Sequence, residues 1–214
     1  MEWIDHLLTP FFGKKLGILG NDCVGKTRLI QYIYDKKLIE CPDSTRPFTK
    51  MEAKVFQFSD KKIRLKLTID TGGARDLLPN KRETFTQSDW VFYVVRSDWI
   101  FSIDNYHQEE DIKSNEFVIR NDFQHMRAWS QNNKSPSLIL IVGNYFNNLS
   151  SNEQIIHTFS TNKNKNKYLR NFINHLHKTC GHLDISTNIK YVVGSLYSED
   201  SAKILVKDIF NSII

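Results

Sequence analysis

Gly20–Asn21–Asp22–Cys23–Val24–Gly25–Lys26–Thr27 is the stretch on which the reading of this 214-residue chain turns. It satisfies the pattern G-x-x-x-x-G-K-[ST] at every fixed position. Two glycines let the main chain turn tightly, so that successive N–H groups face an anion. A helix opening directly afterwards points its positive end at the same anion. Lys26 then reaches the terminal phosphates of a nucleotide, and the Thr27 hydroxyl is placed to ligate Mg²⁺. The phosphate-binding residues expected from this stretch are Gly20, Asn21, Asp22, Cys23, Val24, Gly25, Lys26, Thr27 and Arg28.

The flanks supply the strand and helix that this chemistry needs. Lys14 to Gly20 reads as a short apolar strand, and Gly25 to Leu38 as a helix with Leu29, Ile30, Ile33 and Tyr34 on one face. Met51–Phe58 and Lys62–Asp70 read as strands joined by Ser59–Asp60–Lys61 into a hairpin. Val91–Val95, Leu138–Val142 and Ile189–Val193 are apolar runs suited to strands covered on both faces. Helical stretches lie at Leu77–Gln87, Glu116–Gln131, Lys167–Cys180 and Glu199–Ile213. Strands alternating with helices predict a doubly wound α/β domain. Trp99–Asn115 and Ser150–Asn166 lack periodicity and read as surface insertions in it.

A second element follows the hairpin. Ile69–Asp70–Thr71–Gly72–Gly73 ends a strand on an acid, which can hold Mg²⁺ through water, and a nearby glycine N–H can meet the γ-phosphate. With both elements placed, the chain from about residue 14 to 214 resembles the Ras-like small GTPases, including their Rab, Arf and Rag branches. Gly20–Thr27 matches the family's P-loop, and Asp70–Thr71–Gly72–Gly73 its D-x-x-G motif. The resemblance implies a P-loop, G-domain-like fold: a mostly parallel six-stranded sheet with one antiparallel strand and helices on both faces. It implies GTP/GDP and Mg²⁺ as ligands, with Thr27, Thr49 and Asp70 around the metal, Lys26 and Thr49 in the catalytic roles and Gly73 at the γ-phosphate. Thr45 is the alternative to Thr49.

The later motifs depart from the family. Its N-K-x-D reads here as Asn144–Tyr145–Phe146–Asn147. Asn144 is kept, Tyr145 offers a ring to cover the base, and Asn147 replaces the carboxylate. An amide offers guanine one acceptor and a mismatched donor, so guanine, xanthine and a relaxed choice all stay open. The S-A-K-like loop has its counterpart at Ser195–Leu196. Ala74 stands where the family's water-orienting glutamine follows D-x-x-G, and Asp22 brings a carboxylate towards the γ-phosphate. Slow intrinsic hydrolysis is expected.

Composition bounds the rest. Formal net charge is +5, with lysines dispersed among asparagines and no nucleic-acid-binding motif, so no nucleic acid is expected as partner. Three cysteines, Cys23, Cys41 and Cys180, are too few for a disulfide framework and suit a reducing compartment. Glu2, the acidic N-terminus and a C-terminus without cysteine argue against myristoylation, a signal peptide and prenylation. A cytoplasmic protein is expected. Residues 1–13 form an apolar segment (Trp3, Ile4, Leu7, Leu8, Phe11, Phe12) that packing on the domain or a partner explains better than membrane contact does. His175, His177, Cys180 and His182 lack the spacing of familiar zinc modules; a helix ending at Gly181 accounts for them. The expected function is a GTP/GDP switch presenting residues 41–50 and 72–82 to a protein effector or regulator. A pseudo-GTPase scaffold and a P-loop small-molecule kinase are the alternatives.

Overall fold

A computed structural model describes residues 13–38, 48–58, 61–71, 78–98, 109–145 and 162–213, with backbone only at 48, 49, 58, 61, 109–112 and 162–164. The strands are β1 (Lys14–Gly20), β2 (Phe48–Met51), β3 (Lys54–Phe58), β4 (Lys61–Thr71), β5 (Trp90–Arg96), β6 (Leu138–Tyr145) and β7 (Asn188–Ser195). The helices among the described residues are α1 (Lys26–Asp35), α2 (Leu78–Gln87), α3 (Glu109–Asn132), α4 (Asn162–Cys180) and α5 (Glu199–Ile213). They build a seven-stranded sheet in the order β2-β4-β1-β5-β6-β7, with β3 also paired to β4. β1 is parallel to β4 and β5, β5 to β6, and β6 to β7.

The expected sheet of six strands becomes seven because one strand is interrupted. β2 and β3 both run antiparallel to β4 in one register: Met51 faces Thr68, and three residues on along each strand Lys54 faces Leu65. Pairing lapses only at Glu52 and Ala53. The sheet thus keeps six positions, one of them antiparallel and split.

Alternation along the parallel strands sets the two layers. Leu16, Ile18, Phe92, Val94, Leu140 and Val142 pack with Leu29, Ile30 and Ile33 of α1 and Leu205, Val206, Ile209 and Phe210 of α5. Leu19, Val91, Tyr93, Val95, Ile139, Ile141 and Tyr145 pack on the other side with α2, α3 and α4 through Phe85, Ile119, Phe123, Met126, Phe172 and Leu176. Each fully buried Leu, Ile or Phe contributes about 1.5–3 kcal/mol over its exposed state, which fixes the face each strand residue must take.

Two expected loops are shorter than the sequence suggested. Residues 109–115, read as part of a surface insertion, form the start of α3. Glu109–Glu110–Asp111 carries no apolar period, yet acids suit the positive end of a helix. Likewise 162–166, a run of Asn and Lys, opens α4. Polar first turns give no signal when periodicity is read from apolar spacing. The remaining insertion residues, 99–108 and 150–161, lie outside the described residues, as does the apolar segment 1–12.

From β1 the chain crosses to β2 and β4 on one side, then passes from β4 to β5 on the other. Connections leaving β1's neighbourhood in opposite directions open a crevice at the carboxyl end of that strand, the place where open α/β sheets bind ligands.

Candidate functional site

The crevice is filled by the turn between β1 and α1. Gly20 (φ 139°), Cys23 (φ 57°) and Gly25 (φ 94°) all take positive φ. Interleaving such residues with ordinary ones curls main-chain N–H groups round a concave centre. No side chain caps α1 at Gly25. The first N–H groups of the helix therefore point into the turn without an intrahelical acceptor. A Cβ on Gly20 would clash with the Val94 carbonyl oxygen, and one on Gly25 would meet Asn144 Nδ2 at 2.7 Å. Lys26 is buried, and its ammonium donates to the Asn21 carbonyl at 2.6 Å, inside the loop that it would serve. Burial lowers its pKa, opposed by Asp70 and Asp22.

On the β4 side, the Thr27 hydroxyl donates to Asp70 Oδ2 at 2.7 Å. Asp70 is 2% exposed, and its Oδ1 is buried without a hydrogen-bond partner among the described residues. Burial raises the carboxyl's pKa; the Thr27 hydroxyl and the Lys26 charge pull it back. A buried carboxylate with an idle oxygen beside a threonine hydroxyl is a donor set for a hard divalent cation, so these residues fit Mg²⁺. Thr49 stands in β2 directly opposite Asp70, within the ladder and not ahead of it.

On the β6–β7 side, Asn144 is fully buried and uses both ends of its amide. Nδ2 donates to the Val24 carbonyl at 2.9 Å, and Oδ1 accepts from the Leu196 N–H at 3.0 Å. Ser195 is buried too, its hydroxyl donating to the Tyr145 carbonyl at 2.8 Å and accepting from the Tyr197 N–H at 3.1 Å. Arg28, on the first turn of α1, donates to the Tyr197 carbonyl at 3.3 Å. The turn between β1 and α1, the end of β6 and the 195–197 loop are thus tied into one unit.

Tyr145 is placed differently from the expectation. β6 runs on past Val142, and position 145 falls on the same face as Ile139 and Ile141. Its side chain is 4% exposed within the α2–α4 layer, so covering a base is not its role. Gly73, Ala74, Asn147 and Thr45 lie outside the described residues. Sequence reading also missed Lys81, Asp122 and Tyr93. The Lys81 ammonium lies 3.2 Å from both Asp122 oxygens, and the Tyr93 hydroxyl donates to Oδ2 at 2.9 Å, all three buried between α2, α3 and β5. Polar residues at core positions of separate elements leave no local pattern to find. At the far end of α4, Gly181 takes φ 79° and donates to the His177 carbonyl at 3.2 Å, the helix end read from the sequence.

No protein-family model and no curated protein sequence matches this chain. Solved structures do. One chain of a structure described as that of the mammalian SRP receptor superposes with a TM-score of 0.56 at 14% identity, covering 94% of this chain and 100% of that one. The fold is therefore α/β of the P-loop, G-domain-like kind. As 1073 chains match in structure, the likeness says what the fold is and leaves the ligand to the site.

Proposed function

We propose that this chain is a nucleotide-dependent switch that binds GTP/GDP with Mg²⁺ and hydrolyses it slowly. The observation that carries the reading is the cradle from Gly20 to Thr27: three positive-φ residues, an uncapped helix start and a buried lysine aimed into the loop. Lys26 and the loop N–H groups hold the terminal phosphates. Thr27 and Asp70 hold the cation, which when bound neutralises charge on the phosphate oxygens. Thr49, opposite Asp70 in the ladder, completes that end of the site. Gly73 meets the γ-phosphate, while Asn144, Asn147, Ser195 and Leu196 face the base end. Water attacks in line, and Ala74 contributes nothing to orienting it, which keeps turnover low.

Residues 41–50 and 72–82 present the nucleotide state to a protein effector or regulator, and residues 14–214 act as one domain in the cytoplasm. No helix among the described residues is long and apolar enough to cross a membrane. Ala74 and Asn147 favour one second reading, a scaffold that retains its nucleotide. The antiparallel hairpin ahead of Asp70 speaks against a small-molecule kinase. Mass identification of nucleotide extracted from the purified protein, with titration of Mg²⁺–GTP into wild type and Lys26→Ala, tests the proposal. Binding that Lys26→Ala abolishes is expected. Unchanged binding by the variant, or none by wild type, sinks it; nucleotide retained unhydrolysed through purification selects the scaffold.

A further inference from the structure

Asp70 stands where β4 parts from β1: the last pair along those two strands is Ile18 with Asp70. Pairing with β2 runs one residue further, to Thr71. Side chains then hold this end of β4 from both faces of the sheet. On the face that α1 covers, Asp70 Oδ2 accepts from the Thr27 hydroxyl at 2.7 Å. On the face that α2 covers, the Thr71 hydroxyl donates to the Thr84 hydroxyl at 3.0 Å, and both residues are buried.

Thr84 is a fixed point. A Cβ on Gly17 would meet Thr84 Cγ2 at 2.7 Å and collide with the Ser88 hydroxyl, so glycine at 17 is what lets α2 lie this close to β1. One residue on, Phe85 is fully buried, its ring centroid 5.6 Å from that of Trp129. One turn back, both Asp122 oxygens hold the Lys81 ammonium. Close packing of this kind resists displacement, and the Thr71–Thr84 bond passes that resistance to the end of β4.

A buried pair of threonine hydroxyls is ordinarily a satisfied core contact and nothing more. This pair is set apart by its place, beside the carboxylate of the metal end. Asp70 Oδ1 has no hydrogen-bond partner among the described residues, so the carboxylate's direction depends on Thr27 and on the main chain that carries it.

We propose that Thr84 is a positioning residue for the divalent cation: through Thr71 it fixes the main chain under Asp70, so that the carboxylate and the Thr27 hydroxyl keep the mutual position seen here. This rests on the nucleotide reading above. Mg²⁺ demands near-ideal octahedral geometry, so a small displacement of one oxygen costs affinity. Residues that orient metal ligands from behind change affinity by about ten- to hundredfold when lost.

The test is calorimetric titration of GTP into full-length wild type, Thr84→Val, Thr84→Ser and Thr71→Val, each with Mg²⁺ and again in excess EDTA. The quantity read is the ratio of the two affinities. Wild type should bind more tightly with Mg²⁺. Thr84→Val and Thr71→Val each remove one end of the bond in a side chain of nearly the same shape. Both should lower the ratio about tenfold and leave affinity in EDTA unmoved. Thr84→Ser keeps the hydroxyl and should keep the ratio. Phe85→Leu, a core change beside the bond, should lower the melting temperature and leave the ratio alone. Should Thr84→Val fail to fold, Thr71→Val reads the same bond from the strand side. An unchanged ratio in a folded valine variant overturns the proposal. Equal loss with and without Mg²⁺ overturns it too, because the hydroxyl pair is then a general prop of the fold. GTP binding by wild type that Mg²⁺ does not strengthen removes the cation assignment and Thr84's role with it, and leaves the phosphate cradle standing. Failure of wild type to bind GTP under either condition removes the nucleotide reading itself.

Discussion

Replacing Gly25 with alanine separates two costs that the structure keeps distinct. Gly25 adopts φ 94°, and an added Cβ would meet Asn144 Nδ2 at 2.7 Å. The left-handed backbone alone costs a residue with a Cβ about 1–2 kcal/mol. The crowding costs more, because Asn144 is fully buried and anchored at both ends of its amide. Moving it strands the Val24 carbonyl and the Leu196 N–H, each worth about 1–3 kcal/mol when left buried and unpaired. Together these reach about 3 kcal/mol at the least, a large share of the roughly 5–15 kcal/mol that holds a domain folded. Gly181→Ala is the control. Gly181 also has positive φ, 79°, but a Cβ there would find nothing within 4 Å. Only the backbone cost of about 1–2 kcal/mol should appear. Urea denaturation followed by circular dichroism gives both values, read from midpoints at constant slope. If the two variants lose equal stability, the Asn144 amide is not the brace described here.

Two further perturbations follow from buried charge. Asp70→Asn removes a carboxylate whose pKa burial raises from 3.8. A folded-state pKa above the unfolded one contributes stability that is present below the unfolded value and lost as pH rises through the folded value. Thermal melts of the nucleotide-free protein from about pH 4 to about pH 7 should therefore shift in favour of Asp70→Asn as pH rises, while Mg²⁺-dependent nucleotide affinity drops. A constant gap between the melts across that range contradicts the assignment. Lys81→Met leaves the Asp122 carboxylate buried with, among the described residues, the Tyr93 hydroxyl as its partner, and should cost about 3–5 kcal/mol, whereas adding Asp122→Asn should restore most of it. Denaturation of single and double variants measures the coupling; a neutral Lys81→Met rules out a buried ion pair there.

Much of the fold was legible because it rests on local rules. The apolar runs at 91–95 and 138–142 suited strands covered on both faces, and the glycines of 20–27 marked the turn between strand and helix. Elements with polar beginnings were not legible: 109–115 and 162–166 are helical because the chain behind them is, and no apolar spacing marks the start.

The sequence by itself determined the turn at 20–27, since main-chain geometry of that kind can be imposed by a run of eight residues. It also determined the alternation of strand and helix, since periodicity is a property of neighbours along the chain. Only the tertiary structure decided which side chains meet. Tyr145 lies in the core because it falls on the face of β6 that α2, α3 and α4 cover, whereas Tyr197 is exposed in the connection after β7. Asn144 bridges Val24 and Leu196 across 120 and 52 residues, and Lys81 meets Asp122 across 41. Such partners are set by the order of strands in the sheet, which no local spacing encodes.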